Sequence, residues 1–285
     1  MSTAGQDSLT ASATVGGALA AGAARLAAAG CDSPRLDAEL LLAAARGADR
    51  ARLVIDRDAR LGDGEARAYD GLLRRREDRE PVAYILGRRD FRHLTLEVDA
   101  RVLIPRPETE LLVELALDLP AGSAVTDVGT GSGAIALALK HERPDLTVRG
   151  IDADPAAVEL ARANAGRLGL EVAFTVGDLL DDELCDAVLA NLPYVAADAE
   201  LPPEVARHEP PTALFSGPDG LELIDRLIAQ LAACSPRPGL IALEIGSEQA
   251  PAVATRLRGA GFAQVRVHRD LAGHDRVVSA TGAAA

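Results

Sequence analysis

Ala124-Val125-Thr126-Asp127-Val128-Gly129-Thr130-Gly131-Ser132-Gly133-Ala134 is the stretch that decides the fold. A short run of strand character ends on an acid, three glycines alternate with small hydroxyl residues, and an apolar helix over Ala134–Leu139 begins at once. Strand, glycine turn and helix in direct succession is how a parallel sheet makes its first crossover. The pattern repeats downstream. Thr147–Ile151, Val172–Val176, Ala187–Ala190, Leu240–Ile245 and Gln264–His268 read as further strands, and helices begin near Ser132, Pro155, Leu221 and Gln249. Several of these strands are apolar without alternation, as a sheet covered on both faces requires. The expectation is an α/β domain, doubly wound and mostly parallel.

Upstream the period changes. From Thr14 to Glu77 leucines recur at helical intervals, with breaks at Ser33-Pro34 and Gly62-Asp63-Gly64, which predicts a small bundle of helices. Leu94–Val98 alternates and Val102–Ile104 follows after Asp99-Ala100-Arg101, which predicts a short β-hairpin between these two runs. Pro105-Arg106-Pro107-Glu108-Thr109-Glu110 opens a helix with proline and acids in its first turn. Ala197 to Gly220 is a long, Pro-rich connection without clear periodicity, and such loops in compact domains tend to be functional. Residues 1–12 read as a mobile tail.

Composition excludes several classes. A net charge of −13 on 285 residues repels phosphate, so neither a nucleic-acid backbone nor an anionic membrane is expected as the main partner. Arg74-Arg75-Arg76 and Arg88-Arg89 read as solvated helix faces. Three widely spaced cysteines give no disulfide framework and no zinc spacing, which fits a reducing, cytoplasmic setting. The Ala-rich start carries Asp7 where a signal peptide needs basic residues, and no stretch is long and apolar enough to span a membrane.

Gly129, Thr130, Gly131, Ser132 and Gly133 form a candidate cofactor loop. Glycines let the backbone turn and approach a ligand, and the helix start adds N–H donors. Asp152 ends the next strand, 23 residues after Gly129, where an acid can accept from two ribose hydroxyls. This geometry suits adenosine in general. Gly129-x-Gly131-x-x-Ala134 also satisfies the dinucleotide pattern, so the loop alone does not separate S-adenosyl-L-methionine from NAD. Asp178 and Leu179 close the third strand near the expected adenine position, with a turn aspartate as the bland alternative. Asp127 either holds the loop or meets the amino end of the cofactor.

Asn191-Leu192-Pro193-Tyr194 follows the buried strand Ala187–Ala190 and carries the chemistry. An amide nitrogen is a poor nucleophile because its lone pair is delocalised. Asn191 Oδ1 and the Leu192 carbonyl can accept its two N–H bonds, while Pro193 and Tyr194 sandwich the planar group. Placement and preorganised dipoles then favour transfer. Together with the glycine loop this points to methylation of a planar nitrogen by S-adenosyl-L-methionine.

These residues resemble the glutamine-N5 methyltransferases that modify peptide chain release factors, the HemK or PrmC family. The resemblance runs from about Glu80 to Val278 and is carried by Pro81–Gly87, Leu103–Glu110, Asp127–Gly133 and Asn191–Tyr194. Glu209-Pro210, Ala213-Leu214, Gly217–Leu221 and Asp270–Val277 add to it. It implies a seven-stranded class I methyltransferase sheet behind an N-terminal helical domain and a hairpin linker. The expected division is 1–86 for the helical, substrate-gripping domain, 87–106 for the linker and 107–285 for the methyltransferase domain. It further implies S-adenosyl-L-methionine as cofactor, held by Gly129–Gly133 and Asp152, with Asn191 also near the methyl donor. The implied substrate is the glutamine of the Gly-Gly-Gln motif in release factors 1 and 2, met by a monomeric enzyme with no metal. The family usually has proline where this chain has Leu192, a position whose role is a backbone carbonyl. Asn-Leu-Pro-Tyr is also typical of ribosomal RNA adenine dimethyltransferases, which are basic and carry their accessory domain last. A nearer alternative is the sister family that methylates a glutamine of a ribosomal protein. An oxidoreductase and a non-catalytic adaptor are the remaining classes.

Overall fold

The leucines and alanines spaced at helical intervals fold as expected into α1 (Val15–Ala28), α2 (Pro34–Arg46), α3 (Arg50–Ile55) and α4 (Asp63–Glu77), and a further short helix, α5 (Val82–Leu86), follows beyond the expected run, in a computed structural model that describes residues 14–181 and 183–281. Local chemistry sets their ends. The Thr14 hydroxyl accepts from the Gly17 N–H at 3.1 Å, and Asp49 accepts from Arg52 N–H at 2.8 Å. Gly47, at φ +60°, stops α2. Leu26, Leu41, Leu42 and Leu73 close around the buried ring of Tyr69. Gly22 makes that packing possible, because a Cβ there would lie 2.1 Å from the Tyr69 oxygen.

A hairpin follows, but not from the expected pair of runs. β1 (Arg88–Phe91) pairs antiparallel with β2 (Leu94–Glu97) around Arg92-His93. Arg92 takes φ +49°, so a two-residue turn brings the upstream, largely exposed Arg88–Phe91 into register. Val102 and Ile104 are buried without forming a strand. The Ile104 N–H is taken by Glu209 Oε2 at 3.1 Å, and Pro105 has no N–H to offer a ladder.

A short 3₁₀ turn over Pro107–Thr109 leads into α6 (Glu110–Ala116). The alternation then runs β3 (Ala124–Val128), α7 (Ala134–Glu142), β4 (Thr147–Asp152), α8 (Pro155–Leu168), β5 (Ala173–Val176) and β6 (Ala187–Ala190). It continues with α9 (Pro203–His208), α10 (Glu222–Ala233), β7 (Leu240–Glu244), α11 (Ala250–Gly259), β8 (Arg266–Arg269) and β9 (Asp275–Thr281). The sheet has seven strands in the order β5-β4-β3-β6-β7-β9-β8. β3 to β7 are mutually parallel neighbours, and β9 runs antiparallel to both β7 and β8. β9 is absent from the strands expected from local pattern. Its Val277 and Val278 are buried, but charged and hydroxyl residues flank them, so no apolar run announces it. Ala197–Gly220 holds the short helix α9 and a 3₁₀ turn, and Val195 bridges to Phe215.

Core side chains lie on both faces of the sheet. In β7, Ala242 joins the cluster with α7 and α8, whereas Ile241 and Leu243 join that with α10 and α11. The chain winds outward from β3 to β4 and β5, then returns to place β6 on the other side of β3. That reversal opens a crevice at the carboxyl ends of β3 and β6, where ligands of open α/β sheets bind.

Two compact units account for the described residues. One holds those up to Gly87 together with Pro202–His208; the other holds Arg88–Leu201 and those from Glu209 onward. No helix among the described residues is long and apolar enough to cross a membrane. The tail expected over residues 1–12 lies outside the described residues.

Candidate active site

Asp127, the last acid of β3, is fully buried and organises the loop that follows it. Its Oδ2 accepts from the Thr130 hydroxyl at 2.6 Å and from the Ala136 N–H at 3.3 Å. Its Oδ1 has no partner among the described residues. Burial pushes its carboxyl up to about 7, against the two hydrogen bonds that favour the charge. Asp127 therefore ties the glycine loop to the start of α7 rather than facing the cavity.

The loop needs its glycines. Gly129, Gly131 and Gly133 stand at φ +73°, +54° and +83°. At Gly129 a Cβ would also come within 2.9 Å of Leu192 Cδ2, whereas at Gly131 it would meet nothing within 4 Å. Gly131 donates its N–H to Asp152 Oδ2 at 2.8 Å, and Asp154 donates to Asp152 Oδ1 at 3.0 Å. Each carboxylate oxygen keeps a lone pair for a ligand. Burial raises the Asp152 carboxyl above its ordinary value, and the backbone donors work against that rise.

Beyond β5, Leu179 is buried at φ +67°, a left-handed conformation rare for a branched residue. Asp178 is exposed and pairs with Arg226 at 2.5 Å. Beyond β6, Asn191 Nδ2 donates to the Thr109 hydroxyl at 3.0 Å. The Leu192 side chain is buried in the core and Tyr194 is half-buried. The Tyr194 hydroxyl faces Glu244 Oε1 at 3.4 Å, and burial together with Glu244 pushes its pKa up to about 12.

One cavity gathers Gly129, Thr130, Gly131, Ser132, Asp152, Asp178, Leu179, Asn191, Leu192 and Pro193. Gly133 and Tyr194 are not in its lining. Gly133 caps α7 against Leu137 and Phe174, and Tyr194 turns its hydroxyl to Glu244. The wall is completed by Arg101, Val102, Pro105 and Thr109. Thr109 and Glu244 were given no role by sequence reasoning. Glu244 did leave a signal, an acid inside the apolar run Leu240–Ile245. Thr109 left none beyond its motif. The arrangement offers N–H donors and a carboxylate on one side of the cavity and an oriented amide on the other. No group of three or more metal-ligating side chains occurs among the described residues.

Residues 17–87 match the family model of the PrmC N-terminal domain, and residues 107–207 match that of the Methyltransferase small domain. The chain is 42% identical over 273 residues to the release factor glutamine methyltransferase of Mycolicibacterium smegmatis, covering 93% of this chain and 96% of the relative. It is 41% identical over 265 residues to the release factor glutamine methyltransferase of Deinococcus radiodurans, covering 90% of this chain and 94% of that one. In fold it resembles the hMettl16 catalytic domain, with a TM-score of 0.57 at 18% identity over 70% of this chain and 79% of that one.

Proposed function

The chain belongs to the release factor glutamine methyltransferases, and from that premise we propose that it methylates the side-chain amide nitrogen (N5) of the glutamine in the Gly-Gly-Gln motif of release factors 1 and 2, with S-adenosyl-L-methionine as donor. One observation carries the chemistry. The acid that ends β4 and the amide that follows β6 line the same cavity at the carboxyl edge of the sheet.

When bound, S-adenosyl-L-methionine supplies an electrophilic methyl group on a sulfonium sulfur. The residues present fit its adenosine end. Gly131 leaves open space beside its backbone, and Asp152 keeps lone pairs for ribose hydroxyls. Leu179 offers an apolar edge for the adenine, with Asp178 at the rim. On the other side, Asn191 Oδ1 and the Leu192 carbonyl accept from the substrate amide, holding the nitrogen and favouring the charge that develops on it. Pro193 gives that group an apolar wall. The buried Leu192 side chain is filled into the core, so only its backbone is available for this role. The free thiols of Cys31, Cys185 and Cys234 suit a reducing cytoplasm.

Mass spectrometry of an unmethylated release factor, incubated with this protein and S-adenosyl-L-methionine, tests the reading. One methyl group on the Gly-Gly-Gln glutamine is expected. A release factor left unmodified, with S-adenosylhomocysteine still bound by the enzyme, would move the substrate to a ribosomal protein.

A further inference from the structure

Every other buried residue of α8 is apolar, yet Asn164 sits among them at 0% exposure. A buried amide in a helix interior is costly unless its polar atoms are used. Here they are. Oδ1 accepts from the Glu97 N–H at 2.8 Å and from Arg167 Nη2 at 3.4 Å. Nδ2 donates to the Glu97 carbonyl and to the Ser132 carbonyl, each at 3.0 Å. These partners fix which way round the amide sits. Reversed, it would set its NH2 against the Glu97 N–H and its oxygen against two carbonyls.

The bonds to Glu97 fasten the end of β2. The bond to Ser132 is not needed for that, and it reaches the glycine loop. Ser132 lines the cavity and Asn164 does not, so the carbonyl that Asn164 holds is turned away from the ligand space. The same peptide carries the Gly133 N–H, which donates to the Thr130 carbonyl at 2.8 Å. Glycine takes φ of either sign at little cost, so Gly133, at φ +83°, puts no steric bar on rotation of the Ser132–Gly133 peptide. Turned over, that peptide would present an acceptor beside the loop's N–H donors and would lose its bond to Thr130. To turn, the Ser132 oxygen would have to leave Asn164 Nδ2. Glu97, held by the same amide, stands just before the Asp99–Val102 turn, where Arg101 and Val102 enter another part of the cavity wall.

We propose that Asn164 is a positioning residue for the cofactor site: its amide locks the Ser132–Gly133 peptide with the carbonyl out of the cavity, and ties that loop to the hairpin end that leads into the Arg101–Val102 wall. The effect on cofactor affinity rests on the S-adenosyl-L-methionine reading of the cavity. The restraint on the peptide does not, and neither depends on the methyl acceptor. A residue kept only to fasten β2 would need Glu97 alone.

Asn164→Asp separates the two roles, because a carboxylate accepts from the Glu97 N–H but has no proton for the Ser132 carbonyl. The first readout is backbone hydrogen exchange by NMR in the free, full chain. In the wild type, slow exchange is expected at both Glu97 and Gly133 before any ligand is added. In Asn164→Asp, Glu97 stays protected while Gly133 exchanges about tenfold faster, the worth of one hydrogen bond. Asn164→Ala, which buries no charge, is expected to free both. Unchanged Gly133 protection in a folded variant overturns the restraint. So does a wild type whose Gly133 exchanges freely until S-adenosylhomocysteine is added. The second readout is calorimetry with S-adenosylhomocysteine. Its Kd is expected to rise about tenfold in either variant, and the KM for S-adenosyl-L-methionine to rise with it, while kcat at saturating donor changes little. A merely structural residue would lower the thermal midpoint and leave the Kd of the folded protein alone, so wild-type affinity in both variants overturns the cofactor part. A wild type that binds no S-adenosylhomocysteine sinks the cofactor reading, while exchange at Gly133 still decides the restraint.

Discussion

The helical unit and the sheet unit both bury carboxylates, and they treat them in opposite ways. Among the helices, Asp37 meets Arg76 at 2.7 Å, and Glu204 meets Arg76 at 3.0 Å and Arg79 at 2.6 Å. Burial alone would push Glu204 up, but the guanidiniums outweigh it and hold it at about 2. In the sheet unit, Asp127, Asp152 and Glu244 make no ion pair among the described residues, and burial raises all three. The same residue type serves two ends. Paired with arginine, a buried acid has its charge and lone pairs consumed by the fold. Left without a cation, it keeps acceptor capacity, at the cost of a perturbed charge, for a loop, a ligand or a neighbouring hydroxyl.

The sharpest way to break this contrast is to remove a cation from the helical unit. Arg76→Ala strands Asp37 and leaves Glu204 with Arg79 alone, and is expected to cost about 3–5 kcal/mol in denaturant unfolding. A loss under about 1 kcal/mol would mean that these pairs do not hold the unit together. Next in size is the site itself. Asn191→Ala is expected to lower kcat by about 100- to 1000-fold, as loss of a preorganised dipole does, with S-adenosylhomocysteine binding retained in calorimetry. Undiminished turnover would remove the amide from the chemistry. Smaller again is Asp152→Ala, expected to weaken S-adenosylhomocysteine binding by about 1–3 kcal/mol through unpaired ligand hydroxyls. An unchanged affinity would place the ribose elsewhere.

The pH dependence of unfolding sharpens the comparison by sign, at no more than about 1.4 kcal/mol per pH unit for each group. Asp127 and Glu244 have folded values near 7 against ordinary values of 3.8 and 4.5. Their folded forms hold a proton that the unfolded chain releases. The stability this gives is full below the ordinary values, declines as pH rises, and is exhausted past about 7. Glu204 works the other way, its contribution present above 4.5 and lost as pH falls through about 2. Asp127→Asn should therefore flatten the decline of the thermal midpoint between pH 5 and 7. A midpoint in the wild type that rises across that interval would contradict the assignment.

Much of the molecule was legible in local pattern because local pattern was its cause. The glycine loop is readable since positive φ at Gly129, Gly131 and Gly133 leaves few other residues possible. Strands β6 and β7 are readable since burial on both faces demands largely apolar runs. The hairpin was half-read: Leu94–Glu97 alternates, but its partner Arg88–Phe91 is polar and owes its place to a two-residue turn. β9 escaped because its pairing with β7 and β8, not its hydrophobicity, makes it a strand.

Sequence by itself thus determined the class of fold, the position of the cofactor loop, and the Asn191–Tyr194 segment, all written within a few neighbouring residues. Tertiary structure alone decided what those residues can do. Thr109 lies 82 positions from Asn191, and Tyr194 lies 50 from Glu244. No periodicity or turn preference links positions so far apart. Their association follows from sheet order, which sets β6 beside β7. Whether a buried acid meets an arginine, as Asp37 does, or only a hydroxyl, as Glu244 does, is likewise settled by packing, since the charge a side chain carries depends on what surrounds it once water has gone.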